Sequence, residues 1–226
     1  VLALLLKIPE TEMMVATEIV SSNGIDFIAR NGGLGLSWET EESAEILSDH
    51  ISILTQICIA SREFYPAVAG LNGLPSLCQI VKSGPDSIRE KAARLLGQMC
   101  KHSDYFYQGF EEHKLLPELA AACSSSSTGL RRSACLALGN AAFHSAKLYP
   151  SIERLLPEIM RLLTDPDDRT RANAVGTLNN LVRNGDSLQS SLLSLGVLEK
   201  FYHLALNETA VVSRNLVFFA LGNYCK

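Results

Sequence analysis

Amide side chains recur along the chain at nearly constant spacing, and each could both donate and accept hydrogen bonds. They are separated by 42, 42, 40 and 43 residues: Gln56, Gln98, Asn140, Asn180 and Asn223. An amide on an exposed helix face can bond the N–H and the C=O of an extended peptide. The alternative interpretation is that these amides bond a neighbouring structural unit or cap loops.

Arginines recur with the same period, each seven residues before a leucine that precedes the amide by two: Arg89, Arg131, Arg171 and Arg214. A guanidinium group can bind carboxylates in a bidentate manner. The arginines could therefore bridge to acidic or carbonyl groups between adjacent units. They could instead form a basic rim for an acidic partner, with Arg94 and Arg131 as candidate rim charges.

No residue pattern indicates catalysis or metal binding. His102 and His144 occupy equivalent places, but no Asp, Cys or Ser recurs near them at a spacing typical of a nucleophile–base pair or a metal site. The glycines at 32, 33 and 35 lack the Gly-Lys-Ser/Thr sequence that a phosphate-binding loop requires. We therefore predict no catalytic residues, no metal and no cofactor.

The amino-acid composition and net charge limit the kinds of partner that the chain is expected to bind. The 226 residues are 47% hydrophobic, 19% charged and 7% aromatic, with a net charge of −4. This balance suits close helix packing and gives no basic excess for nucleic acid. The initial apolar run over residues 1–6 is too short to cross a bilayer, so no membrane insertion is expected.

The six cysteines indicate the cellular compartment. They include no Cys-x-x-Cys pair, and most lie among apolar residues of predicted helices. Buried thiols of this kind are typical of reduced cytosolic proteins. We therefore expect a cytoplasmic protein with free cysteines.

The elements that position these residues are predicted from a larger repeat. Blocks that begin at the four recurrent arginines are spaced by 42, 40 and 43 residues and have apolar residues at helical spacing. A period near 40 is typical of a stacked helical solenoid of the armadillo or HEAT kind. Pro75, Pro117 and Pro157 mark second-helix starts, and a short segment before each predicts a first helix. Three helices per repeat favour an all-α, right-handed armadillo solenoid of about five repeats.

The domain organisation follows from the same period. We predict one array over 1–226, with a partial repeat at 1–8 and repeats at about 11–61, 63–103, 105–145, 147–185 and 187–226. An insertion at 31–42 contains Trp38, for which packing back on the first repeat is favoured over a role as a binding anchor. Both ends suggest a fragment of a longer protein.

Two local signals concern the third helices. Small residues at Gly97, Gly139, Gly176 and Gly222 are interpreted as places where neighbouring helices approach closely, with simple tolerance as the alternative. Ser87–Glu90 matches a capping box, and Asp165 followed by Pro166 matches an acidic helix cap.

The residues four positions before the amides bear on partner specificity. They are Ser52, Arg94, Leu136, Gly176 and Phe219. Nuclear-import adaptors with armadillo repeats carry tryptophan at this place to clamp lysine side chains. The absence of tryptophan here argues against recognition of basic localisation signals.

Two stretches resemble a particular family. Residues 133–144 and 170–184 are similar to the C-terminal armadillo region of Fused-type serine/threonine kinases, and this specific similarity covers about 133–185. The resemblance implies a non-catalytic region whose kinase domain lies N-terminal. It also implies a kinesin-like partner, a cytoplasmic and cytoskeleton-associated location, and a role in Hedgehog signalling, motile cilia or cytokinesis.

The function predicted from these observations is a protein-binding scaffold without enzyme activity. A peptide or helix would lie along the concave groove of third helices, with tentative contacts at Gln98, Asn140, Asn180, Asn223, Arg94 and Arg131. One alternative is a structural array that self-associates or packs on its own kinase domain. Another is an unrelated armadillo scaffold in trafficking.

Overall fold

The computed structural model describes residues 11–184 and 186–224, and all regular elements in these ranges are helical. The predicted partial repeat at 1–8 and Cys225 lie outside the described residues. The first three helices are α1 (Glu12–Ser21), α2 (Gly24–Arg30) and α3 (Glu41–Ala60). The next two sets are α4 (Tyr65–Ala69), α5 (Leu74–Ser83) and α6 (Asp86–Met99), then α7 (Tyr107–Glu112), α8 (Leu115–Ala122) and α9 (Thr128–Ala141). The last two are α10 (Tyr149–Glu153), α11 (Leu156–Arg161) and α12 (Asp168–Asn184), then α13 (Asp186–Ser194), α14 (Val197–Asn207) and α15 (Val211–Tyr224).

The third helices α3, α6, α9, α12 and α15 form the continuous part of the structure. Each packs on the third helix before and after it, and α6, α9, α12 and α15 also pack on the second helix of their own set. A short first helix precedes each second helix that the prolines mark, as the sequence predicts. Prolines lie in the first turns of α5 and α11. The architecture is the predicted all-α armadillo-type solenoid.

The core is built from equivalent positions of the third helices. The repeat leucines Leu54, Leu96, Leu138 and Leu178 are fully buried. So are the residues three positions earlier, on the same helix face: Ile51, Ala93, Cys135 and Val175. Each buried leucine contributes about 1.5–3 kcal/mol through removal of apolar surface from water. The helical spacing of apolar residues therefore determines which face of each third helix enters the stack.

The cysteines of the described residues are free. Cys58, Cys100, Cys123 and Cys135 are buried, and Cys78 is partly buried. Burial away from water raises the pKa of the Cys58 and Cys123 thiols to about 12, since it disfavours the thiolate. These thiols act as small apolar side chains of the core.

The close-approach interpretation of the glycines is correct at Gly97 and Gly139 and wrong at Gly176. A Cβ atom at Gly97 would lie 3.3 Å from the Cα of Ala137, and one at Gly139 would lie 2.6 Å from Thr177 Oγ1. At Gly176 and Gly222 a Cβ atom would meet nothing within 4 Å. The first pair points into the next third helix, whereas the second pair points into open space.

Both predicted helix caps differ in the structure. Helix α6 begins at Asp86 after Pro85, so Ser87 lies inside the first turn and makes no capping box. The Glu90 carboxylate instead lies against Gly129, in the first turn of α9. Before α12 the cap is Asp167, whose Oδ2 accepts from Thr170 N at 2.8 Å, because Asp165 is held by other partners.

The 31–42 segment is anchored between the first two repeats. His50 Nδ1 and the Gly33 carbonyl lie 2.8 Å apart in a buried hydrogen bond. Leu34 is buried and lies beside Gly73, at the start of α5. Trp38 packs against the core, as favoured by the sequence.

Candidate functional site

A stripe of mostly exposed and half-buried residues runs along the third helices, and we call it the third-helix surface. It consists of the residues four positions before the amides, the amides themselves, and residues seven positions before or after the first set. These last residues lie on the same helices, except Phe143, which lies in the turn after α9. Seven residues are nearly two helical turns, so these side chains share a face. The members considered below are Arg94, Leu136, Gly176, Phe219, the amides Gln98, Asn140, Asn180 and Asn223, and Phe143, Arg169, Arg183 and Val212.

Asn140 and Asn180 each bond the preceding third helix. Asn140 Nδ2 donates to the Gly97 carbonyl at 2.8 Å, and Asn180 Nδ2 donates to the Gly139 carbonyl at 3.1 Å. A carbonyl only accepts, so the partner determines which amide atom is the nitrogen. Neither side-chain oxygen accepts a hydrogen bond within the described residues, and neither is buried. Each amide therefore has one function inside the stack and a free acceptor outside it.

The other two amides have different surroundings. Asn223 Nδ2 donates to Asn179 Oδ1 at 2.7 Å, which joins α15 to α12. Gln98 is buried, and its Oε1 has no hydrogen-bond partner within the described residues. Gln98 is thus the least accessible of the four, although it shares their register.

Arg131 lies within the stack. Its Nε and Nη2 bind the Asp165 carboxylate at 2.7 and 3.1 Å, in a bidentate pair between adjacent repeats. Its Nη1 donates to the carbonyls of Ser125 and Ser126, both at 3.0 Å. The bridging interpretation describes this arginine, because the guanidinium is occupied by partners inside the protein.

Arg171 repeats this arrangement one unit later. Its Nε and Nη2 bind the Glu208 carboxylate at 2.6 and 2.8 Å, and Nη1 donates to the Asp165 carbonyl at 2.8 Å. The hydrogen bonds from Arg171 lower the pKa of Glu208 to about 2. Arg132 similarly binds Asp167 at 2.7 Å, and this pair lowers the pKa of Asp167 to about 2.

The first and last arginines of the series, Arg89 and Arg214, form no ion pair with another repeat within the described residues. Arg89 binds Asp86 of its own helix at 2.8 Å and the Val81 carbonyl at 2.8 Å. The residue that corresponds to Asp165 is Ser125 in the repeat after Arg89. Arg214 is exposed and makes no side-chain hydrogen bond within the described residues.

Arg94 differs from the bridging arginines. Its side chain is exposed on α6, and it has no hydrogen bond or ion pair within residues 11–184 and 186–224. It therefore presents an unpaired positive charge on the third-helix surface, four residues before Gln98.

A tyrosine series is an additional feature that motif reasoning missed. Tyr65 Oη donates to the Gln98 carbonyl at 2.7 Å, and Tyr107 Oη donates to the Asn140 carbonyl at 2.8 Å. These bonds connect the first helix of a repeat to the end of its third helix. The 42-residue spacing of Tyr65 and Tyr107 was the available sequence signal.

One contact between repeats lies on the third-helix surface itself. The Arg183 guanidinium carbon is 5.0 Å from the centre of the Phe143 ring. Cation–π contacts of this kind contribute about 0.5–1 kcal/mol at exposed sites. The contact holds Arg183 of α12 against Phe143, which follows the end of α9, at one edge of the surface.

Other candidate chemistry is sparse in the described ranges. His144 Nε2 lies 2.8 Å from the Lys101 carbonyl, and His102 Nε2 is buried without a partner there. No group of three or more His, Cys, Asp or Glu in these ranges could hold a metal ion.

A cavity of about 480 Å³ lies between Gly73 and Tyr105, away from the third-helix surface. None of the described helices has the length and apolar character needed to cross a membrane.

Comparisons with known proteins concern the fold. The family description "HEAT-like repeat" matches residues 128–181. A designed armadillo repeat protein in complex with the peptide (KR)4 has a TM-score of 0.78 and 16% identity, over 99% of this chain and 98% of that one. The crystal structure of an engineered protein has a TM-score of 0.77 and 20% identity, over 98% and 94%.

A third similar structure is that of computationally designed armadillo repeat proteins for modular peptide recognition. Its TM-score is 0.75 at 16% identity, over 98% of both chains. No curated protein matches this chain in sequence. The chain therefore has the armadillo or HEAT-like repeat fold.

Proposed function

We propose that this chain is a non-catalytic scaffold that binds an extended peptide segment along the third-helix surface. The observation that carries the proposal is the pair of accessible side-chain oxygens on Asn140 and Asn180, in the same register of adjacent helices. Each oxygen can accept an N–H from a peptide, and the second hydrogen of each amide can be donated to a peptide carbonyl. Such main-chain contacts provide affinity for an extended chain.

The interhelical bonds of these amides favour binding. Nδ2 of Asn140 and of Asn180 is held by a backbone carbonyl, so the orientation of each oxygen is fixed before a ligand arrives. Pre-organised groups lose less conformational entropy on binding. The stacking role and the ligand-binding role are therefore compatible.

The charged residues divide between two roles under this proposal. Arg94 is exposed and unpaired in the described residues, so it serves as a ligand-facing charge. Arg131 is bound to Asp165 and has a structural role. Gln98 contributes less than the three asparagines, because it is buried.

A narrower form of the proposal rests on sequence resemblance alone. It is that the chain belongs to the regulatory region of a Fused-type kinase, in a cytoplasmic and cytoskeleton-associated setting, and that the bound segment comes from a kinesin-like protein in Hedgehog signalling, cilium assembly or cytokinesis. The similarity of residues 133–144 and 170–184 supports this form. The peptide-binding proposal stands independently of it.

A second candidate function is self-association, favoured by exposed apolar side chains of the last repeat. Phe218 is 55% exposed, although Ile51, Ala93, Cys135 and Val175 at the equivalent position are fully buried. Tyr202 is 63% exposed, whereas the equivalent Met160 is 3% exposed. A second copy or another repeat could cover these side chains.

The test of the peptide-binding proposal is to pan a random-peptide display library on the chain and on a triple variant, Asn140, Asn180 and Asn223 to Ala. We expect the native chain to enrich peptides and the variant to bind them at least tenfold more weakly, because the main-chain partners are lost. Each substitution also removes an internal hydrogen bond of about 1 kcal/mol, so helicity and thermal unfolding are measured alongside.

The matched control replaces three exposed amides of first and second helices, Gln79, Gln108 and Asn207, with Ala. This control should bind the enriched peptides as the native chain does. Equal affinity of the triple asparagine-to-alanine variant and the native chain for the enriched peptides would refute the proposed binding surface.

A further inference from the structure

The third-helix surface has an opening at Gly176. A Cβ atom there would meet nothing within 4 Å. The equivalent residues on the neighbouring helices are large and exposed: Leu136 is 38% and Phe219 is 56% exposed. Packed helices lie about 8–10 Å apart. The opening is therefore one helix wide and has apolar side chains on both sides.

The amides flank this opening. Asn180 lies four residues after Gly176 on α12, and Asn140 lies at the equivalent place on α9. A peptide whose backbone is bound by these amides would direct alternate side chains towards the helices. A side chain that enters the opening meets the Gly176 backbone below, with Leu136 and Phe219 beside it.

The charge of the surface changes along the solenoid. Arg94 on α6 and Arg169 on α12 are exposed and have no hydrogen bond or ion pair within the described residues. Arg183, seven residues after Gly176, lies over Phe143. The chain as a whole has a net charge of −4, whereas these three cations lie together on α6 and α12.

Acidic residues lie on the same face, both outside and within this region. Glu45 and Asp49 are exposed on α3, at the N-terminal end. Glu90 lies against the first turn of α9, Asp167 is paired with Arg132, and the exposed Asp168 precedes Arg169 at the start of α12. Within the region between Arg94 and Arg183, the cations Arg94, Arg169 and Arg183 outnumber the acidic residues that are in no ion pair, Glu90 and Asp168, so the region has a small excess of positive charge that favours an anionic ligand.

We propose that the third-helix surface selects an extended peptide with carboxylates opposite Arg94 and Arg169 and a large apolar, aromatic side chain in the opening at Gly176. This inference rests on the proposed peptide-binding function and specifies its ligand. The charge class is opposite to that of the (KR)4 peptide bound by the designed armadillo protein. An aromatic ring suits the opening because it buries much apolar area at the cost of few rotatable bonds.

Fluorescence anisotropy with three labelled octapeptides tests the inference, each titrated to about 1 mM so that weak binding is detected. In each peptide Ser occupies every second position, because alternate side chains of an extended chain point the same way. The positions between the serines carry Glu and Phe in turn in the first peptide, Lys and Phe in the second, and Glu and Ser in the third. We expect the Glu–Phe peptide to bind at least tenfold more tightly than either of the others. The Lys–Phe peptide lacks the charge match, and the Glu–Ser peptide lacks the apolar side chain.

Variants locate the contact. Gly176→Trp should weaken Glu–Phe binding at least tenfold because it fills the opening, while Gly176→Ala should change it less than threefold. The double variant Arg94→Glu, Arg169→Glu should also lose at least tenfold. Its control, Arg30→Glu with Arg154→Glu, makes the same charge change at exposed sites off the third helices and should leave binding unchanged.

The outcomes separate this inference from the proposed function. Equal or tighter binding of the Lys–Phe peptide overturns the charge selection, and equal binding of the Glu–Ser peptide overturns the apolar opening. If none of the three binds, the inference is wrong. Library panning with the amide variant then decides whether the peptide-binding function itself stands.

Discussion

Two glycines of neighbouring third helices show how position within a repeat sets the role of a residue. Gly139 lies one residue after the buried repeat leucine and points at Thr177, whose Oγ1 donates to the Asn173 carbonyl at 2.8 Å. Gly176 lies two residues before that leucine in the next repeat and points into open space. The same residue type therefore permits close packing in one place and leaves a surface opening in the other.

These contrasting surroundings predict opposite effects of the same substitution. Gly139→Ala should lower the free energy of unfolding by about 1–2 kcal/mol, since the new methyl displaces a buried, hydrogen-bonded threonine. Gly176→Ala should raise it by about 0.5–1 kcal/mol, because alanine loses less backbone entropy in a helix. Urea unfolding of both variants measures the difference. A gain in stability at Gly139 would show that α9 and α12 are less closely packed than described.

At the scale of the elements, arginine–carboxylate pairs connect successive repeats. Arg131 binds Asp165, and Arg171 binds Glu208, in each case from a third helix to the loop before the next one. The same carboxylates accept the backbone N–H groups of Asp167 and Ala210 at 2.9 and 3.0 Å. One side chain thus fixes both the loop conformation and the distance between third helices.

Arg171→Met should lower the free energy of unfolding by about 2 kcal/mol at neutral pH, because it leaves the Glu208 carboxylate buried and unpaired. Arg214→Met is the matched control: it lies at the equivalent position, is exposed, and should change stability by less than about 0.5 kcal/mol. Thermal or urea unfolding of the two variants beside the native chain measures both effects.

The pH dependence of stability gives the same pair a second readout. The pKa of Glu208 is about 2 in the fold against an ordinary 4.5, so its contribution is present above pH 4.5 and lost as the pH falls towards 2. In Arg171→Met this pKa rises, so stability should fall less steeply between pH 5 and pH 2.5. If the free energy of unfolding of Arg171→Met falls as steeply between pH 5 and pH 2.5 as that of the native chain, the Arg171–Glu208 pair does not couple the repeats.

At the scale of the whole molecule, each repeat packs mainly on its neighbours, and stability depends on covering the faces between them. The last repeat leaves such a face exposed at Phe218 and Tyr202. Exposed contiguous apolar side chains favour association with a complementary surface. The exposed Phe218 and Tyr202 are therefore the residues at which the self-association candidate is tested.

We expect the chain to associate reversibly at about 100 μM, with the double variant Phe218→Ser, Tyr202→Ser more monomeric by light scattering after size exclusion. Both side chains are exposed, so the variant should retain native helicity and thermal stability. A native chain that stays monomeric at this concentration would contradict the self-association candidate. An unchanged oligomer in the variant would place the contact elsewhere.

The sequence by itself determined the solenoid, because the repeat period and the helical spacing of apolar residues can both be read from positions along the chain without knowledge of tertiary contacts. Short first helices, proline-marked second helices and the register of Asn140 and Asn180 followed from that period. The sequence could not distinguish Gly139 from Gly176, or the bridging Arg131 from the exposed Arg94. These distinctions depend on which face of a helix meets the next repeat. Only the tertiary structure decided them, since the partners Thr177 and Asp165 lie 38 and 34 residues away along the chain and become neighbours through stacking.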